Sequence, residues 1–321
     1  CWAAVNISKN TGFRLSYPIC ISRDISLATQ KKLSQPMVDL KFLIPGFSKC
    51  GTTTLCFLIN QHPDIFIPEE KEPWYFSSPR YAEKHQEYIE YFKDSKPGQI
   101  LGEGSTAYSS YKSEKPSIRR ISQHYPNCRF IFIARDPIKR IESSYRELHH
   151  SGALYDIDAA YSLSDAMKQI PQIIEDTRYR DRIIRYRETF GEESILVIFL
   201  EELEADLHNQ LKRCFRHIGV DDSFEITNPG TRLNTGQSKL YDTKLLRYMR
   251  RHKVIGPKIA KFSLQEQDKV FRRCGLRKPF KEPVVWDSEA IREVTDKVLP
   301  NAREFLALYG KPKNFWPNPF E

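Results

Sequence analysis

The sequence predicts an α/β protein, a single domain with a central parallel sheet flanked by helices, and three observations support this. Apolar runs such as Leu40–Pro45 and Arg129–Ala134 are typical of buried parallel strands. Segments with helical spacing separate these runs, and glycine or proline lies at the junctions. Because strands that alternate with helices form a parallel sheet covered on both faces, we predict this domain over residues 39–321. Residues 1–38 lack periodicity and are expected to form an irregular N-terminal arm.

The predicted elements follow from the apolar spacing and from the residues that flank it. Strands are expected at residues 40–45, 65–67, 100–101, 129–134 and 194–200. Helices are expected at residues 52–61, 80–92, 116–124, 137–150, 171–190, 204–218, 239–253 and 288–309, with a proline-rich connection near 278–283. Asp136 and Pro137 favour a helix start, since Asp caps helix N-termini and Pro fits the first turn. Gly191 and Gly219 are expected to end their helices.

The composition is that of a globular protein large enough to bury a core, with 40% hydrophobic and 28% charged residues in 321. The longest apolar runs, such as Phe130–Ala134, fall far short of the ~20 residues that a membrane-spanning helix needs, so we predict no membrane partner. Lys and Arg outnumber Asp and Glu by 50 to 41, and the net charge of +9 favours anionic partners. A nucleic-acid-binding module is one alternative, but no recognition motif is present and we expect no nucleic-acid partner.

Seven cysteines are scattered along the chain without a CxxC pair, which argues against a zinc ribbon and against a small disulfide scaffold. We expect reduced thiols in a cytoplasmic protein. The sequence begins with Cys1, which we interpret as a fragment or a trimmed chain, so an upstream targeting or anchor segment stays open.

The first predicted strand is followed by a glycine-containing loop, GFSKCGTTT at residues 46–54. Its two glycines have the GxxxxG spacing of a phosphate-binding loop. A Walker loop continues with Lys, whereas here Thr52 follows Gly51 and the lysine, Lys49, lies inside the loop. Backbone amides at a helix N-terminus bind phosphate without that lysine, but the group that neutralises the γ-phosphate of a nucleoside triphosphate is missing. The loop is therefore predicted to bind phosphate without supporting ATP chemistry.

Two further segments follow predicted strands and are expected at the same edge of the sheet, where ligands of such sheets bind. They are EEKEPWYF at residues 69–76 and ARDPIKRIESSY at residues 134–145. In this order and spacing, the three segments resemble the signature of sulfotransferases that use 3′-phosphoadenosine 5′-phosphosulfate (PAPS), above all the heparan-sulfate branch and bacterial carbohydrate and metabolite sulfotransferases. The resemblance covers residues 40–220, and FWP at residues 315–317 resembles the C-terminal ending of the family.

The resemblance implies a role for each matching residue. The residues that match the 5′-phosphosulfate loop are Lys49, Cys50, Gly51, Thr52 and Thr53. Arg135 and Ser143 match the pair that binds the 3′-phosphate, and Glu72 matches the general base of the heparan-sulfate branch. The family's Glu-Lys-x-x-x-Tyr motif is EGSTAY at residues 103–108, where Gly104 replaces a second catalytic lysine. Lys71 is an alternative for that role.

These residue types suit sulfuryl transfer. The leaving phosphate gains negative charge, so Lys49 and the fixed loop amides are expected to stabilise the transition state. The sulfuryl group carries less charge than a phosphoryl group, and no carboxylate pair has a convincing metal spacing, so we expect no metal. Glu72 is expected to take the acceptor proton, with its pKa raised by the aromatic residues that follow it. His149 and His150 are rival bases, although a contact with the helix dipole is favoured for them.

The leading interpretation is a PAPS-dependent sulfotransferase (EC 2.8.2.-) that acts on a hydroxyl or amine group of a carbohydrate or small metabolite. A P-loop-type nucleotide kinase is the alternative, which the missing lysine after Gly51 opposes. Trp74 and Trp316 either line a pocket or belong to the core, and the core is favoured. Lys239 either closes over the cofactor or is solvated, and the solvated state is favoured. The acceptor, the choice between O- and N-sulfation and the oligomeric state stay open.

Overall fold

The structure, a computed structural model, describes residues 37–69, 72–155, 157–228, 239–280 and 282–321. The predicted arm at residues 1–38 therefore lies almost wholly outside the described residues, as does Lys71. Within the described part, strands and helices alternate as the sequence predicts, and the predicted α/β fold class is confirmed.

In this part of the chain, five parallel strands form the central sheet. They are β1 (Leu40–Gly46), β2 (Ile65–Phe66), β3 (Ile100–Glu103), β4 (Arg129–Ala134) and β5 (Ile195–Phe199), in the spatial order β2-β3-β1-β4-β5. The central strand β1 pairs with β3 on one side and with β4 on the other. The chain adds strands first on one side of β1 and then on the other, so the topological switch point lies at the carboxyl end of β1. Ligands of α/β sheets bind at such points.

Helices cover the sheet and form the C-terminal region. The helices described are α1 (Thr52–Ile59), α2 (His85–Glu90), α3 (Glu114–His124), α4 (Pro137–Ser151), α5 (Leu163–Gln169), α6 (Gln172–Glu175), α7 (Tyr179–Phe190), α8 (Leu200–Ala205), α9 (Leu207–Ile218), α10 (Lys244–Arg251), α11 (Ile255–Ile259), α12 (Leu264–Arg273), α13 (Ser288–Lys297) and α14 (Leu299–Leu308). α1 packs against α9, and α7 packs against α3 and α14. Gly191 (φ 87°) and Gly219 (φ 93°) end α7 and α9, as predicted.

Two long predicted helices are each divided in the structure. The helix expected at residues 171–190 is interrupted between α6 and α7, where the carboxylate of Asp176 accepts a hydrogen bond from Tyr111 N at 2.6 Å. The helix expected at residues 204–218 is interrupted at Asp206, which caps α9 by accepting a hydrogen bond from Asn209 N. At Asp206 the side chain binds a backbone amide three residues on, and such a local bond competes with helix continuation.

The prediction of helix from residue 239 is wrong in its first part. Residues Leu240–Asp242 form β6, which pairs antiparallel with β7 (Arg277–Pro279) in the stretch expected to be a proline-rich connection. Strands of three residues have too few positions for an alternating pattern to show in the sequence.

Two clusters of buried side chains form the interior. The larger cluster contains the sheet residues, among them Phe42, Phe130 and Phe132, which are fully buried. The smaller cluster lies between α4, α5 and α13 and includes Ile141 and Val294. No helix within the described ranges has the length and apolar character needed to cross a bilayer.

Candidate active site

The loop between β1 and α1 is the first part of the site. Gly46 ends β1, and a Cβ atom at this position would lie 2.3 Å from Ser109 Oγ, so the close approach requires glycine. Lys49 has φ 68° and Gly51 has φ 98°, in the left-handed region that glycine adopts easily and other residues rarely adopt. The chain then enters α1 at the buried Thr52, and the N-cap residue Gly51 has no side chain to cap the helix. Amides at such a helix start can donate hydrogen bonds to an anion.

Buried polar groups fix this loop to the core. Arg140 of α4 donates through Nε to Ser48 O at 3.2 Å. The Sγ atom of Cys50 lies 3.4 Å from the Tyr179 hydroxyl, which donates to Arg135 O at 2.9 Å. Burial raises the pKa of the Cys50 thiol to about 11. Cys50 is therefore a protonated packing residue of the loop and not a nucleophile at neutral pH.

Two lysines share one carboxylate oxygen beside the loop. Lys49 Nζ lies 2.9 Å and Lys239 Nζ lies 2.7 Å from Oε2 of Glu147, while Ser151 donates to Oε1 at 2.7 Å. Burial acts to raise the pKa of Glu147, but the two ammonium groups hold it at about 2. Burial lowers the pKa of Lys49, an effect that Glu147 opposes and Lys239 reinforces. The expectation of a solvated Lys239 is wrong, since its side chain is only 14% exposed.

Glu72 lies near this cluster, and two donors orient its carboxylate. The indole Nε1 of Trp74 donates to Glu72 Oε2 at 2.9 Å, and Thr106 Oγ1 lies 3.3 Å from Oε1. Trp74 has φ 52°, a conformation that bulky residues rarely adopt and that is enriched at functional sites. Glu72 also acts to raise the pKa of Lys49, so the two charged groups interact electrostatically across the site.

A second carboxyl group, Glu103, lies at the end of β3 and is fully buried. It accepts hydrogen bonds from the Tyr108 hydroxyl at 2.6 Å, from Ser105 Oγ at 2.8 Å and from the Tyr88 hydroxyl at 3.1 Å. Burial raises the pKa of Glu103 to about 7, against the three hydrogen bonds and with a contribution from the Glu72 charge. Ser105 Oγ in turn accepts from Trp74 N at 3.2 Å. Glu103 is therefore connected to Glu72 through Ser105 and Trp74.

Arg135 and Ser143 belong to the segment after β4. Arg135 is half-buried, and its Nη1 lies 3.5 Å from Lys49 O, at the loop. The side chain of Asp136 accepts from Ile138 N at 2.8 Å and caps α4, which confirms its predicted structural role. Ser143 is half-buried on α4 and lies one turn before Glu147 on the same helix face. The loop, Arg135 and this face of α4 thus surround one region.

The two rival bases join α4 to the C-terminal region. His149 Nδ1 lies 2.6 Å from Nη2 of Arg247, and His150 Nδ1 accepts from Leu240 N at 3.2 Å. Burial and nearby cationic side chains lower the pKa of each imidazole to about 4. Since neutral imidazoles gain little from a helix dipole, contacts with β6 and α10 explain their positions better than the expected dipole interaction.

The packing of Trp316 and Thr53 shows where these two predicted residues lie. Trp316 is buried and stacks on Phe305 with ring centroids 6.0 Å apart, so it belongs to the core. Thr53 is half-buried in the first turn of α1. Among the residues that the structure describes, no group of three His, Cys, Asp or Glu side chains is placed to hold a metal ion.

The structure places the predicted residues Lys49, Glu72 and Arg135 around the switch point, together with Glu147 and Arg140, to which the sequence motifs assign no role. Glu147 follows Ser143 by four residues and so shares its helix face, a spacing that was available in the sequence. Arg140 gave no comparable signal, because its partners Ser48 and Thr177 are distant in sequence.

Comparison with known proteins assigns the family. The model of the sulfotransferase domain matches residues 39–279, about three quarters of the chain. A curated relative, the membrane-associated sulfotransferase kil1 of Dictyostelium discoideum, is 31% identical over 107 residues, which cover 32% of this chain and 22% of the relative. This match therefore spans about a fifth of the length of that relative.

Two solved structures extend the comparison. A sulfotransferase from Alicyclobacillus acidocaldarius has a TM-score of 0.58 and 20% identity, covering 88% of this chain and 100% of the other, and it has the same fold. A mouse sulfotransferase complexed with PAP has a TM-score of 0.38 and 16% identity, covering 60% of this chain and 63% of the other. Because the sulfotransferase family model matches about three quarters of this chain, the chain belongs to the PAPS-dependent sulfotransferase family.

Proposed function

We propose that this protein transfers a sulfuryl group from PAPS to a hydroxyl or amine group of a carbohydrate or small metabolite. The observation that carries the proposal is the presence of a cation and an oriented carboxylate together at the switch point of the sheet. Lys49 belongs to the phosphate-type loop, and Glu72 lies near enough for its charge to act on the pKa of Lys49. Sulfuryl transfer needs a cation at the leaving oxygen and a base at the acceptor.

The proposed binding roles follow from the donors that surround the loop. The amides at the start of α1, with Thr52 and Thr53, would hold the 5′-phosphosulfate, because a helix N-terminus favours an anion. Arg135 and Ser143 would hold the 3′-phosphate, since the Arg fork matches two phosphate oxygens. Cys50 contributes to the shape of the loop through its contact with Tyr179.

In the proposed reaction, the bond between sulfur and the phosphate oxygen breaks as sulfur bonds to the acceptor oxygen or nitrogen. Glu72 takes the acceptor proton, and Trp74 and Thr106 keep its carboxylate oriented. Lys49 stabilises the charge that develops on the leaving phosphate oxygen. Lys239 supplies the second cation that Gly104 does not, because it is held at the same Glu147 oxygen as Lys49.

A cytoplasmic location remains a prediction. It is supported by the free thiols of Cys50, Cys128, Cys214 and Cys274, which fit a reducing compartment.

The first test separates a sulfotransferase from a nucleotide kinase. Adenosine 3′,5′-bisphosphate, the nucleotide product of the proposed reaction, should raise the melting temperature because it binds the native state, and ATP with Mg²⁺ should raise it much less. Equal stabilisation by both nucleotides would contradict the proposal. Transfer of ³⁵S from labelled PAPS to a panel of hydroxyl and amine acceptors would then identify the substrate class.

The second test concerns Arg135. Arg135→Ala should weaken adenosine 3′,5′-bisphosphate binding by about tenfold or more, the scale of a charge-assisted hydrogen bond, and leave adenosine 5′-monophosphate binding unchanged. The exposed Lys139, four residues later, provides the control Lys139→Ala. An equal loss for both nucleotides in Arg135→Ala would assign Arg135 a structural role instead.

A further inference from the structure

The positive charge of this chain is concentrated in α10, α11 and α12. Residues 244–273 contain ten Lys and Arg against two Asp and Glu, a net charge of +8 where the whole chain has +9. Seven of these cations are exposed and form no ion pair with any described residue: Lys244, Lys253, Lys258, Lys261, Lys269, Arg272 and Arg273. A charge density of this kind, left without internal partners, is suited to an anionic surface.

The same stretch, the three helices and their connections, also exposes large apolar side chains. Leu245, Tyr248, Val254 and Phe262 are each more than half exposed, and Ile255 and Val270 lie exposed among them. Within the described ranges, these six make up more than half of the exposed large hydrophobic residues, although the stretch has only thirty residues. Single exposed apolar residues are ordinary, whereas a cluster of them marks an interaction surface.

We propose that residues 244–273, the basic–apolar surface, dock this protein on a membrane that contains anionic phospholipids. Lys and Arg would bind the headgroups, and the apolar side chains between them would enter the boundary with the acyl chains. This mode of association needs no membrane-spanning segment. It departs from the sequence-based expectation of no membrane partner, and it does not depend on the proposed function.

The mixed character of the surface favours a membrane over other polyanions. The phosphate and sulfate groups of soluble polyanions are bound through cations and polar groups, and exposed aliphatic residues such as Leu245, Val254 and Ile255 would gain nothing from them. At a bilayer surface, the same residues lose contact with water while the long Lys and Arg side chains reach back to the headgroups.

A cavity beside α10 is a weaker candidate for an anion site. It has a volume of about 640 Å³ and lies between α10 and the segment of residues 158–169. Two of its three cations, Arg247 and Arg251, pair with Asp158, and Asp165 adds a further carboxylate, so only Lys244 has no ion pair with a described residue there. Recognition of an anionic surface therefore falls mainly to the other six unpaired cations, which lie outside the cavity.

The test is flotation of the full chain with lipid vesicles. Vesicles of phosphatidylcholine and phosphatidylserine in a three-to-one ratio should carry the protein upward, and vesicles of phosphatidylcholine alone should not. Two triple variants separate the contributions, a charge variant K253E/K258E/K261E and an apolar variant L245S/V254S/F262S. Matched controls change exposed residues elsewhere, K96E/K115E/R119E for charge and Y111S/V285S/L308S for apolar area.

Both surface variants should bind the mixed vesicles at least tenfold more weakly, and both controls should bind like the parent. Because all substituted residues are exposed, a cooperative melt followed by circular dichroism should show that each variant is folded. Retention on a heparin column should fall for the charge variant and stay unchanged for the apolar variant. Absence of flotation by the parent would overturn the proposal. So would an apolar variant that floats like the parent, which would point to a soluble polyanion or to cover by another part of the chain.

Discussion

The two sides of the candidate site are built by different means. The loop between β1 and α1, residues 46–53, takes its shape from the backbone, through two glycines, a left-handed Lys49 and the start of α1. The carboxylate side, which contains Glu72, Trp74 and Glu103, takes its shape from side-chain hydrogen bonds between segments that lie 31 to 34 residues apart in sequence. One side is encoded locally, and the other depends on tertiary structure.

This difference has a consequence for substitutions. On the loop, adding a Cβ atom should be more harmful than removing a side chain, because the backbone amides are the proposed binding groups. On the carboxylate side, the chemistry belongs to particular oxygen atoms, so a change of functional group at constant shape should be harmful.

The largest effect is expected for Glu72→Gln. The substitution keeps the shape and removes the basicity, so kcat should fall by roughly 10²–10⁴, the usual scale of general-base catalysis, with nucleotide affinity unchanged. The exposed Glu69 supplies the control Glu69→Gln, which should behave like the parent. If Glu72→Gln keeps its rate while His149→Ala or His150→Ala is inactive, the base belongs to α4 and not to the carboxylate side.

The next effect concerns stability and the pH at which Glu103 ionises. Burial raises the pKa of Glu103 from 4.5 to about 7, so the folded state favours the protonated acid. The stabilising contribution of Glu103 to the free energy of unfolding is therefore fully present below about pH 4.5. It is lost as the pH rises through 7, and the total loss is about 3 kcal/mol. In Glu103→Gln this dependence should be absent.

The measurement for Glu103 is the difference in unfolding free energy between parent and variant across pH. The difference is needed because His149 and His150, whose pKa values are lowered to about 4, change stability in the opposite sense between pH 4 and 6.5. Glu87, an exposed carboxylate that also accepts from a tyrosine hydroxyl, gives the control Glu87→Gln. A flat difference curve for Glu103→Gln would mean that the buried carboxyl group does not titrate in this range.

A smaller loss is expected for Glu147→Gln, which leaves Lys49 and Lys239 without their shared anion. The cost should be about 2 kcal/mol in urea unfolding at neutral pH, since both lysines are partly exposed and solvent screens part of the interaction. The pKa of Glu147 is lowered to about 2. Its stabilising contribution to the free energy of unfolding is therefore present above about pH 4.5 and is lost as the pH falls through 2.

An anion in the site should partly replace Glu147. Adenosine 3′,5′-bisphosphate should therefore raise the melting temperature of Glu147→Gln more than that of the parent. The control is Glu142→Gln on the same helix, whose pair with Arg146 is at 3.7 Å and more exposed. Equal nucleotide shifts in Glu147→Gln and in the parent would show that the two lysines do not face the nucleotide.

The contrast between local and tertiary encoding also explains what the sequence could predict. The loop, the cap at Asp136 and the strands that flank the site are set by residues adjacent in sequence, so spacing and turn chemistry were enough. The Glu103 network was not predictable, because Tyr88 and Trp74 reach it only after β3 and the preceding segments pack together. The sharing of Glu147 by Lys49 and Lys239 was not predictable either. It depends on how close the loop lies to β6 in the folded chain, and no local sequence pattern gives that distance.

The smallest effect, and the direct test of the loop, is expected for Gly51→Ala. Gly51 has φ 98°, and its new Cβ would lie 3.1 Å from Leu200 Cδ1, so the cost should be about 1–2 kcal/mol for the left-handed backbone together with a shift of the Leu200 side chain. Gly98 has a similar φ of 87° with no atom within 4 Å of an added Cβ, so Gly98→Ala carries the backbone cost alone. Both variants should lose stability in urea unfolding, but only Gly51→Ala should bind adenosine 3′,5′-bisphosphate more weakly, because only there do the amides at the start of α1 move. Thr53→Ala, which shortens a side chain in the same turn, should weaken binding less than Gly51→Ala. If the order of these two loop variants is reversed, side chains and not backbone amides define the loop, and the two sides of the site are built alike.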